Sequence, residues 1–245
     1  MFRGPLAGRS FGFGFPSRIA GGPPRPGLLG EIGRLGLRAT GERHRRTMRS
    51  GEDMQAIVDF VLELDKLKGV TRKVRPLGLA RYENSAEHSW QLAMFAISLA
   101  RFVEADLDID RVIRMLLVHD VGEIDAGDAL FFAESGWEDQ KRAEHRAARR
   151  IFGMLPEAQG AGFLALWQEF EHGETEEARF ARAVDRAMPV LLNLANDGQS
   201  WKENGISYER VLARIASPIR AGCPSLWDYL ARRLEEARKN GLFGA

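Results

Sequence analysis

The chain has a single cysteine, Cys223, and no stretch that approaches 18 consecutive apolar residues. The first scarcity excludes an intrachain disulfide framework and a cysteine-built zinc cluster. The second leaves no segment fit to be a transmembrane helix. Strand-like alternation of apolar and polar residues is also missing, which points away from a sheet. No segment repeats along the 245 residues. Lysine is absent from residues 1–47, and acids there are limited to Glu31 and Glu42, against nine arginines.

That local imbalance is hidden in the total. Over the whole chain 35 basic residues face 34 acidic ones. Residues 48–245 therefore hold 26 basic and 32 acidic residues. The first 47 residues also carry 11 of the 26 glycines and 5 of the 10 prolines. Such a composition buries too little apolar surface to offset its ordering entropy. A disordered extension is expected over 1–47, followed by one domain over 48–245. An arginine-rich, acid-poor leader suits a transit peptide or a nucleic-acid arm. It also suits a dispensable tail ahead of a start at Met48 or Met54. It lacks the hydrophobic core of a secretory signal. The expected location is cytoplasmic, or an organelle if the leader is a transit peptide.

Beyond the leader, apolar residues recur at helical spacing. Met54, Ile57, Val58, Val61 and Leu62 form a stripe that predicts a helix to about Leu67. A loop with Gly69, Pro76 and Gly78 follows. Asn84 and Glu87 then read as a capping box, opening a helix over about 85–104 with Leu92, Phe95, Ala96 and Leu99 inward. Further helices are expected over about 109–121, 136–154 (capped by Ser135 and Glu138), 160–171, 175–196, 207–217 and 225–239. The predicted fold class is all-α, one helical bundle of about eight helices.

Five histidines occur, and two of them fall on apolar faces. His88 shares a face with Leu92, Phe95 and Leu99. His119 follows Val112, Met115 and Leu116 and has Asp120 beside it. Burying an imidazole and a carboxylate together is costly unless something pairs with them. Asp185 lies inside the long helix between Val184 and Met188, where a carboxylate needs a cation, and Arg186 points elsewhere on that helix. Two imidazoles and two carboxylates make a mixed nitrogen and oxygen site suited to Mn, Fe, Co, Ni or Zn rather than Ca. Open positions on such an ion make it catalytic. His145 and His172 sit among charged residues and read as surface histidines.

The order His88, His119–Asp120, Asp185 resembles the H…HD…D signature of HD-domain metal-dependent phosphohydrolases. The segments ENSAEHSW (83–90), LLVHDVGEIDAGD (116–128) and FARAVDRAMPVL (180–191) are similar to the branch that contains bacterial 5′-deoxynucleotidases and HD-domain-containing protein 2. The similarity covers about 54–200 well and 201–240 loosely, and does not reach 1–47.

The resemblance implies an all-α fold around one divalent transition metal, Mn, Co, Fe, Ni or Zn with Mg also admissible, held by His88, His119, Asp120 and Asp185. It implies that Glu123, one helical turn from His119, orients or deprotonates the attacking water, and that Asp128 meets the sugar hydroxyl. LKGVTR (67–72) matches the segment ending in a phosphate-binding arginine, which makes Arg72 the candidate, with Lys73 or Arg75 if the register drifts. In the bacterial enzymes a tryptophan that favours deoxyribose follows that arginine; here Lys73 does, a departure that leaves the sugar preference open. Trp201 either lines the pocket or serves as a core aromatic. The implied activity is hydrolysis of nucleoside 5′-monophosphates to nucleoside and phosphate, by a homodimer with no nucleic-acid or membrane partner. Cleavage of a cyclic nucleotide or a guanosine polyphosphate, and a non-catalytic nucleotide- or metal-binding regulator, are the alternatives.

Overall fold

Helix boundaries follow from local capping. In a computed structural model, which describes residues 50–103, 106–128 and 136–244, α1 covers 50–64 and runs into a 3-10 turn, Asp65–Gly69. The capping box is present: the Asn84 side chain accepts from Glu87 N, and Glu87 accepts from Asn84 N, which starts α2, Ser85–Leu99. Asp108 caps α3, Ile109–Val118. A short α4, Glu123–Ala126, precedes α5, Trp137–Phe152, and α6, Glu157–His172. Thr175 caps α7, Glu176–Ala195, and Ser207 caps α9, Tyr208–Gly222, with a short α8, Gln199–Glu203, between them. Pro224 opens α10, Pro224–Lys239, at a position where its missing N–H costs nothing.

The expected eight segments are all helical, and among the described residues no strand occurs. Two short helices, α4 and α8, were not anticipated; four or five residues carry too little periodicity to be read. The expected disorder of 1–47, the end of a helix at 104 and the Ser135 cap lie outside the described residues. Met48–Ala245 forms one compact unit.

Helix α7 is the spine of that unit. Phe180, Val184 and Met188 are buried among Leu92 of α2, Met115 and Leu116 of α3, Ile215 and Ile219 of α9, and Leu230 and Leu234 of α10. A second cluster joins Phe60 of α1 to Val121, Ile151, Phe152 and Trp167. The inward face of α1 is therefore Ile57, Phe60 and Leu64, and the predicted stripe is corrected. Met54, Val58, Val61 and Leu62 are all exposed. An apolar stripe marks a face that avoids water, but it does not say which neighbour covers it.

One irregular feature builds the site. Residues 70–74 pair back onto 83–85: Arg72 N donates to Glu83 O at 2.8 Å, Glu83 N to Val74 O at 2.9 Å and Ser85 N to Val70 O at 3.0 Å. This ladder holds Arg72 and Glu83 beside the start of α2.

Candidate active site

Three helices deliver the buried polar cluster. His88 on α2 is fully buried, with Nε2 3.2 Å from Asp185 Oδ1 of α7 and Nδ1 3.3 Å from Glu83 Oε2. His119 caps the C-terminus of α3. Its Nδ1 lies 2.8 Å from Leu116 O. A carbonyl only accepts, so Nδ1 carries a proton and Nε2 is the nitrogen whose lone pair a metal would take. That nitrogen faces two carboxylates, Asp120 Oδ1 at 3.0 Å and Asp185 Oδ1 at 3.7 Å. His119 Nε2 is buried without a hydrogen-bond partner, as is His88 Nδ1.

An unpartnered buried nitrogen aimed at carboxylate oxygens is what a cation would complete. One donor atom each from His88, His119 and Asp185 lies within 4.8 Å of the other two. Ligands about 2.1 Å from a shared ion stand about 3.0–3.4 Å apart, close to the separations quoted above. The residues present therefore fit a divalent transition metal, with Asp120 adjoining the three.

The surrounding charges are unusual for a buried place. Arg72 Nη1 donates to Asp120 Oδ2 at 2.9 Å and lies 4.0 Å from Glu123 Oε1. Its Nε has no hydrogen-bond partner, with Glu83 Oε2 3.6 Å away. Ser85 Oγ donates to Glu123 Oε2 at 2.7 Å. Burial, and then Asp120, hold the Glu123 carboxyl well above its ordinary range, against the pull of Arg72. Gly127, at φ +75°, ends α4 in a conformation that favours glycine and turns Asp128 into the cleft. Burial pushes Asp128 up to about 6, opposed by Arg72. Burial opposes charge on Asp185 as well, but Arg186, His119 and His88 outweigh it and hold that carboxyl well below the usual range. Burial likewise works against a charged His119, yet Asp120 and Asp185 raise it.

Arg186 departs from the expectation that it points elsewhere. Its Nη1 lies 3.3 Å from Asp185 Oδ2, because the long flexible arginine stem can swing its head through the roughly 100° that separates consecutive helical residues.

All seven expected site residues lie close together: His88 and Asp185 in the cluster, and Arg72, His119, Asp120, Glu123, Asp128 and Asp185 on one cleft. Lys73 also lines the cleft, whereas Arg75 turns to Glu203 at 2.7 Å. Trp201 is 2% exposed and stacks on Phe243 at 4.4 Å, a core aromatic that also edges the cleft. His145 packs 5.8 Å from Trp167, and His172 is exposed. Neither lines the cleft. Sequence reasoning missed Glu83, Ser85, Glu144, Glu171 and Arg182. Glu83 and Ser85 flank the Asn84 cap and could have been found there; the others are single charges on amphipathic helices.

Among the described residues no helix is long and apolar enough to cross a membrane. An HD domain family model matches residues 64–227. The human 5′-deoxynucleotidase HDDC2 is 28% identical over 143 residues, 58% of this chain and 69% of that protein. The 5′-deoxynucleotidase of Erwinia tasmaniensis is 31% identical over 168 residues, covering 64% of this chain and 84% of that one. The crystal structure of a predicted metal-dependent phosphohydrolase from Magnetospirillum magnetotacticum is 41% identical, with a TM-score of 0.75, covering 79% of this chain and 97% of that one. With the family model spanning more than half of its length, and with His88, His119 and Asp185 gathered in one buried cluster, the chain belongs to the HD domain family.

Proposed function

We propose that the protein is a metal-dependent phosphohydrolase that cleaves nucleoside 5′-monophosphates, deoxyribonucleotides among them, to nucleoside and inorganic phosphate. The observation that carries this reading is the buried His119 Nε2, unpartnered and facing Asp120 and Asp185. The relatives named 5′-deoxynucleotidase support the substrate class.

In this reading His88, His119, Asp120 and Asp185 hold the metal. A divalent ion there acts as a Lewis acid that polarises a phosphoryl oxygen and makes water more acidic. Glu123 Oε1 takes the proton of the attacking water, while Ser85 fixes the other oxygen. Arg72 is the phosphate clamp, since its Nε–H is unpaired within a buried site and its fork matches two phosphate oxygens. Asp128 accepts from a sugar hydroxyl. Residues 48–245 carry more acids than bases, so an anionic substrate is drawn by these local cations and not by a general positive field. The exposed stripe of Trp90, Met94 and Ile97 on α2 supports a homodimer.

The test is a phosphate-release screen over nucleoside monophosphates, cyclic nucleotides and guanosine polyphosphates with Mn or Co. Release from dAMP that disappears in His119→Ala and Asp120→Ala is expected. Retained activity in either variant overturns the metal assignment; release only from another ester class overturns the substrate.

A further inference from the structure

The cleft extends well past the metal cluster and the groups assigned to phosphate, water and sugar. Helix α5 forms part of its wall. Trp137, Lys141 and Glu144 of that helix line it, together with Glu171 of α6 and Arg182 of α7. Trp137, Gln140, Lys141 and Glu144 stand at i, i+3, i+4 and i+7, one face of a helix. Further along the helix the same face runs on to bury Ala148, Ile151 and Phe152. The polar stripe is held in place. Gln140 Nε2 donates to Gly127 O and to Glu144 Oε1, both at 2.8 Å. Lys141 pairs with Glu171 at 3.0 Å and lies 5.9 Å from the Trp137 ring centre. An aromatic face beside a fixed carboxyl edge is the chemistry that binds a flat heterocycle, by stacking on one group and edge hydrogen bonds to the other.

We propose that the α5 stripe is the nucleobase-recognition wall of the cleft, with Trp137 stacking on the base and the Glu144 carboxyl reading its edge. This inference rests on the nucleotide reading above. As a carboxylic acid, Glu144 donates to a ring nitrogen and accepts from an adjacent amine, the pattern of adenine and cytosine. As a carboxylate it offers two acceptors, which suit the adjacent N–H groups of guanine. Burial pushes Glu144 up to about 7, with Gln140 opposing and Glu171 and Asp120 adding to the rise, so both forms are available near neutrality. The charged groups around it on this cleft are Lys141 on α5, Asp120 and Glu123 at α4, Glu171 on α6 and Arg182 on α7.

The experiment compares kcat/KM of the metal-loaded full chain for dAMP, dGMP and 2-deoxyribose 5-phosphate, which lacks a base. Trp137→Ala is expected to lose about tenfold more on the nucleotides than on the base-free ester, and Trp137→Phe to restore most of that loss. The dAMP/dGMP ratio is expected to fall between pH 6 and pH 8. In Glu144→Gln, whose amide keeps one donor and one acceptor, the ratio stays flat at the acid-side value. Equal losses on all three substrates in Trp137→Ala, or an unchanged ratio profile in Glu144→Gln, overturn the wall while the phosphatase reading stands. No release from any of the three by the parent protein overturns both.

Discussion

His119 supports a prediction that can be followed from atoms to a melting curve. Its Nε2 is buried without a hydrogen-bond partner, 3.0 Å from Asp120 Oδ1 and 3.7 Å from Asp185 Oδ1. A cation that binds only the folded state stabilises it by mass action, about 2.7 kcal/mol at a hundredfold excess over its Kd. A unit the size of residues 48–245 shifts by about 2–4 °C per kcal/mol. Adding Mn or Co to chelator-stripped protein should therefore raise Tm by about 5–10 °C in differential scanning calorimetry. His119→Ala removes one donor and leaves Asp120 and Asp185 facing each other, so the metal-dependent rise should fall below about 1 °C. Its own cost to the stripped protein, through the lost Leu116 bond and the Phe170 ring 4.9 Å away, is read separately from the metal-free melt. His145→Ala, outside the cleft, should keep the full rise. A metal-dependent rise in His119→Ala equal to that of the parent would refute the assignment, as would no rise in the parent with any of Mn, Co, Fe, Ni or Zn.

Four further outcomes are expected. Glu123→Gln keeps the Ser85 bond and the metal-dependent rise but lowers kcat by about 10²–10⁴; normal turnover on dAMP would remove Glu123 from the chemistry. Gly222→Ala places a Cβ 2.1 Å from Arg179 O and 2.8 Å from the Ala183 Cβ where α9 crosses α7, and should cost about 1–3 kcal/mol in denaturant unfolding, an unchanged midpoint being the adverse result. Glu144 has a folded-state value near 7, above its unfolded one, so the unfolded state loses its proton first and stability falls as pH rises from about 4.5 to 7. Glu144→Gln in stripped protein should then be relatively more stable at pH 8 than at pH 4.5, and an effect independent of pH contradicts this. Deleting residues 1–47 should leave both turnover and the metal-dependent rise in place; a truncated protein that folds and fails to turn over would show that the chain divides elsewhere.

Helix identity and helix starts were determined by the sequence alone, because capping and 3.6-residue periodicity act within a few residues. Asn84 with Glu87, Thr175 and Ser207 each begin a helix where their side chains satisfy an end N–H. The candidate ligands were legible for the same reason: His88, His119 and Asp185 are polar groups placed on apolar helical faces, a local conflict visible without coordinates. What the sequence could not hold is anything settled by long-range approach. Which face of α1 is covered depends on the second cluster, so Phe60 is buried while Val61 and Leu62 are exposed. The return of Arg72 to Asp120 spans 48 residues and depends on the pairing of 70–74 with 83–85. The meeting of α5 with the cleft, which turns a charged surface-like stripe into a wall facing the substrate, depends on α4 and α6 holding it there. Local steric and capping rules write helices into neighbouring residues, but burial belongs to the assembled fold. Only the tertiary structure decided which buried charges meet, and so which nitrogen is left waiting for a cation.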